Sequence, residues 1–119
     1  MPRCYVAGPM RGYPGYNFPA FDAAEARVRE LGFHPVSPAA MDRLYEGWGA
    51  APPEDLEVAT EDAKRFMRRD LAVLFELDAG AGDAIYLLNG WEKSKGARAE
   101  LALAEFLGLC VILESGGTP

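Results

Sequence analysis

The feature that most constrains the fold of this chain is a short, almost continuously apolar run, Asp83–Leu88, which follows a loop containing glycine. Such a run is typical of a strand buried on both faces, whereas a strand with one solvated face alternates apolar and polar residues. Strands covered on both faces occur inside parallel sheets, where helices pack against either side. The run therefore predicts a central strand of an α/β domain.

The residues after this strand predict a loop and then a helix that carries a carboxylate among its apolar positions. Ser94 can cap this helix by accepting a hydrogen bond from its first turn. The residues that share its inward face at helical spacing are Gly96, Glu100, Leu103, Ala104 and Leu107. An acid on such a face is out of place unless it is used, although an acid near a helix start also gains roughly 0.3–1 kcal/mol from the helix dipole. The helix alone leaves both interpretations open.

Strand and helix patterns alternate along the rest of the chain, which implies right-handed crossovers and a parallel sheet of four to five strands covered on both faces. Pro35 cannot donate to a strand ladder, so its strand is expected at a sheet edge. The first helix is expected to start after Asn17 as its cap and to bury Phe18, Phe21, Ala24, Val28 and Leu31. The other predicted elements are strands Arg3–Ala7, Phe33–Val36 and Leu109–Leu113, a short helix Met41–Glu46 and a long helix from about Glu54 to Leu77.

Length and composition exclude several classes of function. The 119 residues predict one domain over the whole chain, residues 1–119, and the net charge of −6 is not arranged as the basic stripe that binding to polymeric nucleic acid needs. No apolar stretch approaches the roughly 20 residues of a membrane span, and the N-terminus lacks a signal-peptide pattern, so we expect a cytoplasmic protein without a membrane partner. Cys4 and Cys110 lack metal-ligand spacing. We expect no metal and no cofactor.

The loop between the first strand and the first helix predicts an anion site. Ligands of parallel sheets bind beyond the carboxyl ends of the strands, and this loop leads into a helix N-terminus that favours a phosphate. The loop contains Gly8, Arg11 and Gly12, and a guanidinium can hold a phosphate through two hydrogen bonds. The glycines also serve the turn itself, and this alternative stays open.

Five segments together carry a resemblance to a known family: Tyr5–Pro9, Arg11–Gly12, Asp70, Asp83 and Ser94–Glu100. With these residues the chain resembles the nucleoside 2-deoxyribosyltransferase superfamily. Within it, the chain is most similar to the 2'-deoxynucleoside 5'-monophosphate N-hydrolases and their short bacterial and phage relatives. The resemblance implies a flavodoxin-like, three-layer α/β domain, no cofactor, and a homodimer or higher homo-oligomer.

The resemblance also implies roles for individual residues. By this match Glu100 is the nucleophile, Tyr5 orients it and Ser94 contacts the ligand. The remaining residues expected on the substrate side are Gly8, Arg11, Gly12, Gly96 and Trp91. Trp91 could stack on a base, and closing a subunit contact is its alternative.

Asp70 is the candidate that protonates the departing base, because it shares a helix stripe with Ala63, Met67 and Leu74 rather than facing solvent. Its alternative is a salt bridge with a nearby arginine. The arginines Arg65, Arg68 and Arg69 are interpreted as a solvated helix face.

The substrate expected from the resemblance is a small deoxynucleotide. Transferases of the superfamily have aspartate six residues before the glutamate, whereas Ser94 can donate to a phosphate, as in the hydrolases. Arg98 departs from the family pattern, which has glycine there. We therefore expect hydrolysis of a 2'-deoxynucleoside 5'-monophosphate to free base and 2-deoxyribose 5-phosphate. The alternatives are base transfer and a nucleotide-sensing module without turnover; a flavin carrier fits less well, because the first loop lacks a Ser/Thr-rich phosphate cradle.

Overall fold

Four parallel strands form the centre of the protein in a computed structural model that describes residues 1–48, 52 and 60–116. The strands are β1 (Arg3–Ala7), β2 (His34–Val36), β3 (Ala84–Leu87) and β4 (Cys110–Leu113). Their order is β2-β1-β3-β4, and each neighbouring pair is parallel. The predicted parallel sheet is thus confirmed. Its predicted central strand, β3, is buried along its whole length, and the strand with Pro35 lies at the edge.

Helices cover both faces of this sheet. They are α1 (Phe18–Glu30), α2 (Pro38–Glu46), α3 (Thr60–Phe75) and α4 (Lys95–Leu107). Because side chains alternate along a strand, Cys4 and Val6 of β1 pack with the buried face of α1. Tyr5 and Ala7 point to the opposite face, where α3 and α4 pack. The result is the expected three-layer α/β architecture, with Tyr5 facing the helix that carries the candidate carboxylate.

The helices differ from the sequence prediction mainly at their ends. α2 begins at Pro38 rather than Met41, because proline suits the first turn of a helix, where its missing N–H is not needed. α3 ends at Phe75 rather than Leu77. Its predicted start at Glu54, and Leu56 with it, lie outside the described residues. No helix in the described part of the chain is long and apolar enough to cross a bilayer.

Two predictions for α1 were wrong. Leu31 is 40% exposed rather than buried, because it is the C-cap of the helix and Gly32, at φ 95°, ends the helical path directly after it. Asn17 occupies the cap position but makes no side-chain cap. Its Nδ2 atom instead donates to the carbonyl of Pro9 at 2.9 Å, and its φ of 62° is left-handed. The Asn17 side chain therefore connects the two ends of the loop between β1 and α1 instead of capping α1.

Asp83 fastens the amino end of β3 to β1. Its buried carboxylate accepts the backbone N–H of Arg3 at 2.7 Å and that of Asp78 at 2.8 Å. The Arg3 guanidinium adds an ion pair at 3.0 Å. Burial alone would raise the pKa of Asp83, but these donors outweigh it and lower the pKa. This acid is thus a structural anchor at the edge of the sheet opposite the carboxyl ends of the strands.

We expect Asp83→Asn to lower the free energy of unfolding at pH 7 by about 1–3 kcal/mol, because an amide accepts the same donors less strongly than a carboxylate. A folded-state pKa below the unfolded value contributes stability above the unfolded pKa, and this stability is lost as pH falls. The difference between the two proteins should therefore shrink in acid. Urea unfolding at several pH values measures it, with exposed Glu76→Gln as control. An equal difference at every pH would contradict this account.

Candidate active site

Tyr5 and Glu100 meet in the interior between the sheet and α4. The Tyr5 hydroxyl donates a hydrogen bond to Oε2 of Glu100. Tyr5 is fully buried, and Glu100 is 5% exposed. The structure therefore brings together the two residues that the sequence singled out from opposite ends of the chain.

The local sequence of α4 explains why its carboxylate points inward. Ser94 caps the helix as predicted, since its Oγ accepts the backbone N–H of Ala97 at 3.1 Å. Starting the helix at this point turns Glu100 onto the same face as Ala97 and Ala104, which are buried against the sheet. Glu100 is thus fixed within an apolar face by the register of the helix.

Burial dominates the electrostatics of this pair. Burial raises the pKa of Glu100 to about 8, with a further upward contribution from Asp70. The hydrogen bond from Tyr5 and the charge of Arg69 lower the pKa but do not offset the burial. Burial and the neighbouring Glu100 also hold the pKa of Tyr5 well above its ordinary value, so the phenol remains a neutral donor. Burial therefore keeps Glu100 in its protonated form up to a higher pH than an exposed glutamate.

Asp70 belongs to the same cluster. Its charge raises the pKa of both Glu100 and Tyr5, so it lies within electrostatic reach of them. Burial raises the pKa of Asp70 itself to about 6, against the lowering effect of Arg69. Arg69 forms an ion pair with Asp70 at 2.7 Å, which is the salt bridge that the sequence left open as the alternative. Asp70 is therefore both ion-paired and close to the candidate nucleophile.

The interpretation of Arg69 as part of a solvated face was wrong. Its side chain is mostly buried and also contacts Asp42 of α2, which is itself buried. Sequence reasoning missed both residues, although a signal was present. Arg69 falls at helical spacing between Phe66 and Val73, on a face that turns inward. The contact with Asp42 joins α3 to α2, and such a contact between distant segments cannot be predicted from a local sequence pattern.

The remaining candidate residues lie in the loops after β1 and β3, at the carboxyl edge of the sheet, and, for Gly96, in the first turn of α4. Arg11 and Gly12 are exposed in the loop after β1. Gly8 sits against Leu88, and a Cβ at Gly8 would lie 2.6 Å from that of Leu88. Gly96 faces Met67 of α3, since a Cβ there would lie 3.7 Å from Cε of Met67. Gly8 and Gly96 are thus packed against neighbouring side chains, whereas Arg11 and Gly12 lie on the surface.

The two loops at this edge touch each other. Gly90 has a left-handed φ of 89°, and a Cβ there would lie 2.7 Å from the hydroxyl of Tyr13. Trp91, the next residue, packs against the core on the α3 and α4 side. Trp91 also lines a cavity of about 630 Å³ beyond the ends of β3 and β4.

A second, smaller groove of about 340 Å³ lies between α2 and α3, and Arg69 forms part of its wall. Tyr5 and Glu100 line neither this groove nor the cavity beside Trp91. Within residues 1–48, 52 and 60–116, no three His, Cys, Asp or Glu side chains come together as a metal site. The side chains that the structure brings together in the candidate site are those of Tyr5, Arg69, Asp70 and Glu100, with Asp42 on the far side of Arg69.

The structure resembles that of a 2-deoxyribosyltransferase from the psychrotolerant bacterium Bacillus psychrosaccharolyticus, with a TM-score of 0.58. The match covers 93% of this chain and 70% of the other, at 20% sequence identity. It confirms the flavodoxin-like fold that the resemblance to the nucleoside 2-deoxyribosyltransferase superfamily implied.

A comparison with curated protein sequences gives no match. One family model, described as Domain of unknown function (DUF4406), matches residues 2–113. Because this match spans nearly the whole sequence, the chain belongs to the DUF4406 family.

Proposed function

We propose that the protein cleaves the N-glycosidic bond of a 2'-deoxynucleoside 5'-monophosphate, with Glu100 as the nucleophile. The observation that carries the proposal is the hydrogen bond from the buried Tyr5 phenol to the buried Glu100 carboxylate. An acid within an apolar helix face is costly for folding, so the presence of Glu100 there favours a chemical use. The fold shared with a 2-deoxyribosyltransferase supports the same class of reaction.

The first half of the reaction forms a covalent sugar ester. Positive charge builds at C1' as the bond to the base nitrogen breaks and its electron pair leaves with the base. The charge at C1' favours the ionised form of Glu100, so a protonated Glu100 first releases its proton to water, and the resulting carboxylate bonds to C1'. Asp70 donates a proton to the base, and its pKa of about 6 leaves a useful protonated fraction near neutral pH. The base departs as a neutral molecule.

The second half of the reaction decides between hydrolysis and transfer. Water attacks C1' and gives its proton to Asp70, while the bond from C1' to Glu100 breaks and restores the carboxylate. The product is 2-deoxyribose 5-phosphate. A second base in place of water gives a new nucleotide, and the fold of the solved 2-deoxyribosyltransferase favours this variant as the second candidate.

Residues of the two touching loops are proposed to bind the substrate. Arg11 and Ser94 are the phosphate donors, and the Ser94 hydroxyl keeps its hydrogen free while its oxygen caps α4. Trp91 stacks on the base. The glycines proposed to let the substrate approach the backbone are Gly8, Gly12 and Gly96.

We also propose a cytoplasmic homodimer or higher homo-oligomer. The proposal follows from the family resemblance, and Phe106 of α4, which is 82% exposed, is a candidate contact between copies. Size-exclusion chromatography with light scattering measures the assembly directly.

The test is an incubation of the protein with a panel of deoxynucleotides and the matching nucleosides, followed by chromatography of the free base. The proposal expects base and 2-deoxyribose 5-phosphate from the nucleotides, with slower release from the nucleosides. Adding a second base identifies transfer if a new nucleotide appears. Thermal stabilisation by nucleotides without any base release would instead indicate a sensing module.

Tyr5→Phe is expected to lower kcat/KM for base release at pH 7 by about 10²-fold, because one preorganised donor is lost. The Tyr5 hydrogen bond lowers the pKa of Glu100, so its loss raises that pKa further and moves the pH dependence of kcat/KM upward. The matched control is Tyr86→Phe, a buried tyrosine of β3 on the opposite face of the sheet. An unchanged pH profile in Tyr5→Phe would remove Tyr5 from the mechanism.

A further inference from the structure

We propose that Arg69 is a positioning residue that holds the carboxylate of Asp70 beside Glu100, and that Asp42 of α2 fixes Arg69 in turn. The inference rests on the proposed function, in which Asp70 is the proton donor. It adds two residues to which the sequence analysis had assigned no role in the site.

The hydrogen bonds define the arrangement. Nε and Nη2 of Arg69 both donate to Oδ1 of Asp70, at 2.9 and 2.7 Å. Nη2 also donates to Oδ1 of Asp42 at 2.6 Å. The side chains of Arg69, Asp70 and Asp42 are 19%, 13% and 7% exposed, so the three groups are largely shielded from water. One guanidinium therefore joins two carboxylates from different helices.

The contact between Arg69 and Asp70 is unusual for their positions. Successive residues on a helix point about 100° apart and do not face each other. Arg69 must bend back toward its neighbour to make these bonds, and Asp42 provides the fixed point that holds it there. The guanidinium of Arg69 also lies over the ring of Phe66, with 5.5 Å between its carbon and the ring centroid, and this cation–π contact stabilises the bent side chain.

Both bonds from Arg69 end on the same oxygen of Asp70. A proton on a carboxylic acid avoids the oxygen that already accepts from a guanidinium, because that oxygen is stabilised in its charged form. Arg69 thus directs the proton of Asp70 to Oδ2. A general acid needs this property, since its proton must point at the substrate atom that receives it.

Arg69 also balances the charge of the cluster. In the described part of the chain, the titratable groups that interact with Arg69 are Tyr5 of β1, Asp42 of α2, Asp70 of α3 and Glu100 of α4, and Glu46 and Arg65 act on Asp42 in turn. Arg69 lowers the pKa of Tyr5, Asp42, Asp70 and Glu100 alike. Without it, burial would raise the pKa values of acids that the reaction needs partly ionised still further.

The experiment compares Arg69→Gln, Arg69→Lys and Asp42→Asn with Arg68→Gln, a matched control that removes the same charge from the exposed neighbouring position. Steady-state kinetics of nucleotide cleavage give kcat and KM. Carboxyl NMR titration follows Asp70 and Glu100 and needs no activity. Thermal unfolding identifies any variant that fails to fold.

For Arg69→Gln we expect kcat to fall by about 10–100-fold with little change in KM, because a misplaced acid impairs the chemical step rather than binding. The pKa values of Asp70 and Glu100 should rise by about 1 pH unit. Arg69→Lys keeps the charge and should restore the pKa values, but it should recover only part of kcat, because an ammonium cannot reproduce the two-nitrogen contact. Asp42→Asn should lie between the wild type and Arg69→Gln.

Two results would overturn the proposal. One is a titration of Asp70 and Glu100 in Arg69→Gln that matches the one in Arg68→Gln. The other is full recovery of kcat in Arg69→Lys, which would show that charge alone suffices. If the wild type releases no base, the proposed function fails, and the titrations still decide whether Arg69 controls the acids.

Discussion

Glu100→Gln is expected to reduce the rate of base release by at least about 10³-fold, the largest effect of any single substitution in this protein. Glutamine nearly matches glutamate in shape and can still accept the hydrogen bond from Tyr5. It cannot bond to C1' as a carboxylate or offset the positive charge there, so the reaction loses its nucleophile while the fold is preserved. Chromatography of free base over long incubations measures the residual rate.

The matched control for this prediction is Glu105→Gln, which makes the same change on the exposed face of the same helix. It should leave the rate unchanged within a factor of about two, because a surface carboxylate screened by solvent has little effect on a buried site. Base release that persists in Glu100→Gln at the wild-type rate would assign the chemistry to another group.

The same substitution is expected to make the protein more stable at alkaline pH. Burial raises the pKa of Glu100 from 4.5 to about 8, so the folded protein binds a proton that the unfolded chain has released between these values. The contribution of this group is fully present below pH 4.5 and is lost as pH rises through about 8. Glutamine does not titrate, so Glu100→Gln does not lose it.

We therefore expect Glu100→Gln to match the wild type near pH 4.5 and to exceed it at pH 8–9 by on the order of 3 kcal/mol, or roughly 10 °C in Tm. The raised pKa of Asp70 adds a pH dependence that both proteins share. Thermal unfolding across this pH range tests the prediction, with Glu105→Gln as control. Equal melting temperatures at pH 9 would show that Glu100 is ionised in the folded protein without penalty.

These two outcomes express one trade-off. An acid buried for the sake of reactivity is destabilising in its charged form, and replacing it removes the activity together with the penalty. A gain of stability without loss of base release would therefore argue for a structural rather than a chemical role of Glu100.

The sheet could be predicted because its signals are local. The unbroken apolar run at β3, the proline in β2 and the serine before α4 each depend on a few neighbouring residues. The inward direction of Glu100 followed from helical spacing once Ser94 set the start of the helix. The pairing of Tyr5 with Glu100 was predicted from the family resemblance and not from local spacing, since 95 positions separate the two residues.

The parts that could not be predicted depend on contacts between elements. Leu31 fits the apolar stripe of α1, but it lies at the C-cap of the helix and is partly exposed. Arg69 looks like a surface residue because arginine usually is one, and its ion pair with Asp42 on another helix could not be predicted from local sequence. The balance between burial and hydrogen bonding at Glu100 likewise needed the whole packed environment, because the two effects oppose each other.

The close approach of Tyr13 to Gly90 couples the residues allowed in the loop after β1 to those allowed in the loop after β3. Any larger residue at position 90 would have to displace the tyrosine, and any shortening of the first loop would leave the glycine uncovered. Changes at these positions should therefore arise in pairs among related chains. The two loops can also be expected to gain or lose order together when a ligand touches either one.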